Sequence, residues 1–512
     1  MSRINTNVPS LTAQRVLTNN NQGLNQSLER LSTGLRINRG KDDPAGLIAS
    51  ENLRAEIKSI DAAINNAERA ERVVNIAEGG LSEVSGLLTE LQGLITTTAN
   101  SAGLSESEKE ANQLQIDSIL QTIDRVAGQT SFQGTKLLDG NFDFRVSSQA
   151  TGIEDLRVNG AKFEGSSLDV NVLVTQSAQR AGLFLSFGAT SLDLGGATAT
   201  DGATSTFVVE VAGSLGSREF SFASGTTVAQ VQATINTFSD ITGVSAVTSG
   251  NGVRLQSTDF GSDEFVTVRV VDDAQQGGNV TSLTATDFTT GDADLGAFSS
   301  TAAINGIRDA GQDIGATING IVATTNGRTA RIDTDFLNLE ITLDDAGSNP
   351  AQNLGAVGGA RTFAITGGGA TFQLGGNVDI GSKVTLGISE VAIRKLGSNV
   401  SGGFLDDLGS GKSFNVVDGD LSTAQQIVTD AIDQVSTLRG RLGAFSRNTL
   451  GATRRSLSVS LENSSAAESV IRDADFASET AALTRSQILS QAASNTLALA
   501  NQQPQAALQL LG

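Results

Sequence analysis

The stretch "PAGLIASENLRAEIKSIDAAINNAERAERVVNIAEGGLSEVSGLLTELQGLITTT", residues 44–98, decides the reading of the fold. Along it Leu53, Ile60, Ala67, Val74, Leu81, Leu88 and Ile95 recur every seven residues without a break. Ile57, Ile64, Val84 and Leu91 widen the same stripe. Sustained heptads predict coiled-coil packing. Just upstream, Asp43 suits an N-cap and Pro44 the first helical position, where its missing N–H costs little. Gly79, Gly80 and Gly86 work against the helix, at about 1 kcal/mol each relative to Ala. At 1.5 Å per residue the helix is about 80 Å long, whereas the mean globular helix has about 11–12 residues. Such a rod needs a second periodic segment to cover its stripe.

Working outward, Leu17, Leu24, Leu28, Leu31 and Leu35 continue a helical repeat toward the N-terminus. Downstream, Ser105 and Glu108 have capping-box spacing, opening a helix to about Ala127 on Leu114, Ile119, Ile123 and Val126. Helical periodicity returns near residue 420, where Ser422 and Gln425 repeat the box spacing. Val435, Leu438, Leu442 and Phe445 carry that stripe onward. A last segment places Ala482, Leu489, Ala492, Thr496 and Leu499 on one face. The chain closes on "NQQPQAALQLLG", residues 501–512, where Pro504 either begins a short terminal helix or kinks a longer one.

Between about 141 and 419 the texture is β. Alternating runs such as "TFVVEV", "REFSF" and "FVTVRVV" are separated by Gly, Ser, Thr, Asn and Asp clusters. Asn-Gly pairs at Asn159, Asn251, Asn305 and Asn319 mark candidate tight turns. One unit reads strand, strand, short helix ("TTVAQVQATINTF") and further strands through Val271, with a gentler version around "GATINGIVATTNGRTARID". The expected fold is α+β: a long antiparallel helical coiled-coil rod formed by both chain ends, with β-rich domains inserted between them. Its heptad core would be Leu53, Ile60, Val74, Leu81, Leu88 and Ile95 with Val435, Leu438, Leu442 and Phe445. The outermost segments, 1–35 and 478–512, leave apolar stripes that little remaining chain could cover, which points to assembly.

Composition narrows the function. Among 512 residues, hydrophobic types make up 38%, all 21 aromatics are Phe, and Tyr, Trp, Cys and His are absent. Without Cys there is no disulfide, thiolate metal site or thiol nucleophile, and without His no Ser-His-Asp triad or H-E-x-x-H zinc site. The net charge of −20 and pI near 4.5 argue against nucleic acid. The N-terminus "MSRINTNVPSLTAQR" lacks the apolar region of a signal peptide, and no run approaches the roughly 18 apolar residues of a membrane helix.

The motifs that could carry chemistry fail on inspection. "DDLGSGKSF", residues 406–414, resembles the end of a phosphate-binding loop, but Asp406 stands where Gly is required. "GLRINRGKD" carries Asp42 where Ser or Thr belongs. The acid pairs Asp42/Asp43, Asp272/Asp273, Asp344/Asp345, Asp292/Asp294 and Asp418/Asp420 fit no calcium-loop frame and read as caps and turns. Arg439, Arg441, Arg447, Arg454 and Arg455 are either a solvated face or partners for Glu68, Glu71, Glu78 and Glu83.

The two ends also carry a resemblance. "AQRVLTNNNQGLNQSLERLSTGLRINRGKDDPAGL" and "SLENSSAAESVIRDADFASETAALTRSQILSQAASNTLALANQQPQAALQLLG" are similar to the terminal signatures of bacterial flagellins. "IDRVAGQTSFQGTKLLDG" and "TFAITGGGATFQLG" resemble that family's flanking hairpin segments, and the unit at 204–271 resembles its "hook IN" insertion. The likeness covers about the first 185 and last 150 residues. It implies a structural, non-enzymatic subunit, without cofactors, that polymerises into the bacterial flagellar filament. Leu17, Leu24, Leu28, Leu31 and Leu35 would then line an inner tube, with Leu489, Leu497, Leu499, Leu508 and Leu511 opposite.

The implied division is 1–43 as N-terminal inner-tube helix and spoke, and 44–180 as the N-terminal part of the rod with hairpins. Residues 181–360 would be the inserted outer β-rich domain or domains, 361–472 the C-terminal part of the rod, and 473–512 the C-terminal inner-tube helix. Implied partners are other copies of the chain, an export chaperone, junction proteins and a filament cap, with no nucleic acid and no membrane insertion. The implied place is the extracellular filament, reached without a cleaved signal peptide. Members detected by a Toll-like innate receptor carry Arg, Leu and Glu where this chain has Glu90, Leu94 and Gln115. Only Leu94 matches, so weak recognition is expected. A hook–filament junction protein, a β-rich adhesin on a helical stalk and a carboxylate enzyme are the competing readings.

Overall fold

The computed structural model describes residues 6–100, 103–147, 152–163, 165–194, 206–283, 291–344, 360–399 and 402–509; side chains at 291, 292, 360 and 504–509 lie outside that description. The chain opens with α1 (Val8–Thr33), α2 (Pro44–Thr98) and α3 (Glu106–Gln129). Within the β zone lie α4 (Val228–Asn236) and the single turns α5 (Ser239–Thr242) and α6 (Thr301–Asn305). The chain closes with α7 (Leu421–Ala444), a π-helical turn at Phe445–Leu450, α8 (Gly451–Arg472) and α9 (Phe476–Gln509). Two compact units result. One comprises residues 73–371 and 384–443; the other comprises 1–72, 372–383 and 444–512.

Local chemistry sets most helix ends. Asp43 Oδ1 accepts the Gly46 N–H at 2.9 Å and starts α2. Glu108 reaches back to the Ser105 N–H at 2.7 Å and starts α3. Thr227 and Gln230 form a reciprocal box at α4, at 3.3 and 2.9 Å. At α7 the cap is not Ser422. Asp420 takes that role, its carboxylate accepting from the Ser422 N–H and hydroxyl and the Thr423 hydroxyl at 2.8–3.0 Å. A carboxylate with two oxygens satisfies several N-terminal donors at once, so the helix opens earlier than the box spacing suggested. Pro504 does not begin a separate helix, because the α9 backbone runs through it to Gln509.

In the larger unit, α2 from Val73 onward, α3 and α7 share a closed apolar interior. Val74, Leu81, Leu88, Ile95, Val435, Leu438 and Leu442 are buried, joined by Val84, Leu91, Ile116, Ile119, Leu120 and Ile123. Leu114, expected in that stripe, is 69% exposed, because α3 turns Ile116 and Leu120 inward instead. Gly80 has a packing reason. A Cβ there would stand 2.6 Å from Thr130 Oγ1 and 2.9 Å from Leu138 Cδ1, whereas Gly79 and Gly86 face open space.

The same unit holds two antiparallel β-sandwiches, one nested in the other along the chain. The nested one packs a five-stranded sheet, built on Gly182–Ser186, Val244–Ser249, Gly252–Ser257, Asn279–Leu283 and Gly291–Ala297, against a four-stranded sheet. The four strands are Thr206–Ala212, Ser217–Ala223, Phe265–Asp272 and Ile307–Ala310. Phe187, Phe207 and Phe298 meet in its core at ring-centroid distances of 5.1–5.8 Å. The other sandwich joins Ile153–Ala161 and Leu168–Gln176 to strands between Gly315 and Leu343 and to Ala360–Gly367. The stretch 181–360 therefore contributes to two cores, since strands from 315 to 343 share the one built on Val170, Val172 and Phe363.

Two of the Asn-Gly asparagines sit in hairpin turns. Asn319 and Gly320 both have positive φ, 51° and 80°, as a type I′ turn between Ile318 and Ile321 requires. Asn251 sits in the two-residue turn closed by the Ser249–Gly252 pair. The other two do not. Asn159 is the extra residue of a bulge in Ile153–Ala161, where the partner register slips between Asn338 and Leu339. Asn305 ends α6, with Gly306 beyond it. No helix occurs among the described residues 315–333, which form short strands throughout.

In the smaller unit, α2 up to Arg72 lies antiparallel to α8. Arg472 pairs with Glu51 at 3.0 Å and Arg454 with Glu71 at 3.0 Å. Here α2 buries mainly small residues, Ala63, Ala67 and Ala70, with Ile60; Leu53 is half-buried. Phe445 is buried and its ring meets Phe372 at 6.1 Å. On α8 no residue is buried.

Candidate assembly surface

The outermost helices pair with each other. Asn7 Nδ2 donates to the Ala500 carbonyl at 2.8 Å, and the Ser10 hydroxyl to Asn501 Oδ1 at 2.7 Å. Further along, the Ser490 hydroxyl donates to Asn21 Oδ1 at 2.7 Å, and Arg30 lies 3.8 Å from Glu479. Low residue numbers meet high ones throughout, so α1 and α9 run antiparallel. Their seam is made of small side chains: Ser10, Ala13 and Ser27 are buried on α1, and Ala493 and Ala500 on α9. Gly23 continues it, where an added Cβ would only just touch Ser486 Oγ at 3.6 Å.

Because the seam uses small residues, the large apolar ones face outward or sit at its edges. Leu17, Leu24, Leu31, Leu35 and Leu497 are half-buried. Leu28 and Leu489 are each 46% exposed and Leu499 is 65% exposed. Leu508 lies on the α9 backbone with its side chain outside the description, and Leu511 lies outside the described residues. Between the two helices runs a groove of about 520 Å³, walled by Val8, Pro9, Thr12 and Val16 on one side and Leu489, Ala492 and Thr496 on the other. Val8, Pro9 and Val16 are absent from the leucine repeat and so escape a heptad reading. Their signal in the sequence is the Asn7-Val8-Pro9 start, where Asn7 caps α1 by accepting the Ser10 N–H at 3.1 Å. An apolar groove without charged walls suits an apolar helix face from another chain.

The remaining candidates are structural. Lys412 donates to Asp406 at 3.0 Å, so the lysine of the phosphate-loop look-alike is already neutralised. Asp42 accepts backbone N–H groups of Arg39 and Asn38, and the Arg39 N–H chiefly holds its carboxyl below the usual range. Among the described residues no group of three or more acidic side chains is arranged to hold a metal ion. The arginine cluster divides. Arg439 grips Glu78 through Nε and Nη2 at 3.2 and 2.9 Å, and Arg454 takes Glu71. Both pairs are partly solvated, worth about 0–1 kcal/mol, and serve register more than stability. Arg441 donates to the Gly387 carbonyl at 3.0 Å, and burial lowers its pKa to about 10. Glu90 and Gln115 are exposed on α2 and α3, and Leu94 is half-buried.

Residues 4–143 match the bacterial flagellin N-terminal helical region, and residues 425–511 match the bacterial flagellin C-terminal helical region. A flagellin of Salmonella choleraesuis is 28% identical across 99% of both chains. The chain belongs to the bacterial flagellin family. A flagellin of Aquifex aeolicus is 27% identical over 100% of this chain and 99% of its own. The solved structure of FliC from Burkholderia pseudomallei aligns with 74% of this flagellin-family chain and 99% of its own, at 13% identity and a TM-score of 0.23, too loose a superposition to bear on the fold. The two matched regions contain α1 and α9, the helices that form the groove.

Proposed function

We infer that this chain is a structural subunit that self-assembles into the bacterial flagellar filament and so serves swimming motility. The observation that carries this is the open apolar groove between α1 and α9, placed in the two regions that identify the family. Monomeric proteins rarely leave such surfaces contiguous and uncovered, and here the only covering chemistry needed is another apolar helix. In the filament, α1 and α9 of neighbouring copies would close the groove and cover Leu28, Leu489 and Leu499. Segments 1–43 and 473–512 then form the inner tube, 44–180 and 361–472 the surrounding rod, and the β-sandwiches project outward.

The filament lies outside the cell, and the chain reaches it by export as an unfolded polypeptide. Its contacts during that passage are an export chaperone, junction proteins at the filament base and a cap at the tip. The role is mechanical and uses no catalysis. With Glu90 and Gln115 in place of the residues expected from resemblance, recognition by the Toll-like receptor is weak. A reporter-cell assay with purified monomer giving full potency overturns that point.

Seeded growth tests the main reading. Purified monomer added to filament seeds is expected to elongate them into long uniform filaments under electron microscopy. Removing residues 504–512 is expected to stop elongation while the monomer melts as before. Normal filaments from the truncated chain would refute the assembly role.

A further inference from the structure

In the smaller unit, the turn after α1 and the turn after α8 are stitched together. Leu35 and Asp473 form an isolated antiparallel bridge. The Arg36 N–H donates to the Arg472 carbonyl at 2.7 Å, and the Ala474 N–H donates to the Gly34 carbonyl at 2.9 Å. The Arg36 guanidinium reaches further, Nη2 donating to the Ile471 carbonyl at 2.6 Å. Ile471 and Arg472 are the last two residues of α8, where carbonyls have no helical N–H to accept from and the helix dipole favours a cation. Arg472 in turn binds Glu51 at 3.0 Å and faces Glu468 at 3.9 Å, so the end of α8 is also held to the start of α2.

This stitch matters because the α1–α9 seam, though long, buries only small side chains. Its buried side chains are Ser and Ala, whose burial contributes little, and its cross-helix polar contacts are few. A fixed distance at one end adds to the register that these few contacts set. With the turns joined, α9 meets α1 as an intramolecular partner at high effective concentration, and Leu489 comes to line the same groove as Val8 and Val16. Gly34 makes the geometry attainable: its φ of 73° reverses the chain after α1 as its N–H closes on the Arg30 carbonyl at 2.8 Å.

We propose that Arg36 is a positioning residue for filament growth: by capping the last carbonyls of α8 it holds the turn from which α9 lays down on α1 in the register that forms the groove. The proposal rests on the filament reading above. Arg36 touches no residue of the groove, so it acts through α9.

The test compares full-length wild type, Arg36→Ala and Arg36→Lys in seeded growth, with the critical concentration read by sedimentation and melting followed by calorimetry. Arg36→Ala is expected to raise the critical concentration about tenfold, the scale of losing one charge-assisted hydrogen bond, with the main melting transition unmoved. Arg36→Lys, which keeps a cation over the α8 carbonyls, is expected to stay within about threefold of wild type. Growth of Arg36→Ala at the wild-type threshold overturns the proposal. So does Arg36→Lys failing as badly as Arg36→Ala with melting intact. Wild-type monomer that does not elongate seeds refutes the filament reading itself, which separates the two outcomes.

Discussion

The α2–α3–α7 interior and the α1–α9 pair are both helical, both periodic in sequence, and finished to different degrees. In the first, Leu81, Leu88, Leu91 and Ile116 have lost all contact with solvent. In the second, the buried residues are Ser and Ala while the leucines are half-buried or exposed, and α8 buries nothing. A helical stripe therefore does not by itself mean a core. It means a face that something must cover, and here one face is covered by the chain's own elements while the other stays open, the face we infer a second copy covers.

Five substitutions probe that contrast, beginning with the largest expected effect on monomer stability. Leu88→Ala removes a fully buried side chain and is expected to cost about 2–5 kcal/mol in calorimetric or denaturant unfolding. A loss below about 1 kcal/mol would mean the interior is as open as the terminal pair. Gly80→Ala is expected to destabilise by about 1–3 kcal/mol despite better helix propensity, because the new methyl meets Thr130 and Leu138. Its neighbour Gly79→Ala, facing open space, is expected to stabilise by about 0.5–1 kcal/mol. Opposite signs at adjacent glycines check the packing directly.

Asp420→Ala removes the α7 cap and is expected to cost about 1 kcal/mol at neutral pH. Hydrogen bonds from the Thr423 and Ser422 hydroxyls hold the Asp420 carboxyl below its ordinary 3.8. A lowered folded pKa means the cap's contribution is present above 3.8 and lost as pH falls through the folded value. The gap between wild type and Asp420→Ala in melting temperature is thus expected to close below pH 3.8. Last, Leu499→Asp is expected to change monomer stability by less than about 0.5 kcal/mol, since the side chain is 65% exposed, yet to abolish seeded elongation. A large loss of monomer stability from that change would erase the distinction between the two regions.

Much of the helical frame was legible in advance. Asp43 with Pro44 and Ser105 with Glu108 mark helix starts through side chains that act within one turn, and the structure uses both. The α7 start was misread because Ser422 and Asp420 both fit a cap, and only the folded loop shows which oxygen meets the donors. Asn159 was misread because an Asn-Gly pair serves a bulge as well as a turn, and the choice lies with the partner strand carrying Asn338. In the α1–α9 pair, the leucine repeat names residues on both helices but few of the groove walls. Val8, Pro9 and Val16 line the groove together with Leu489, Ala492 and Thr496 from the far end of the chain, and no spacing within α1 encodes that meeting.

What the sequence determined by itself was local or compositional: helix extent from period, helix starts from caps, the family from its two ends, and the absence of Cys and His chemistry from composition. What only the tertiary structure decided was which apolar face closes. That choice depends on partners hundreds of residues away, as Glu78 with Arg439 or Asn7 with Ala500 show. Burial is a property of the pair, and a single helix carries only half of it.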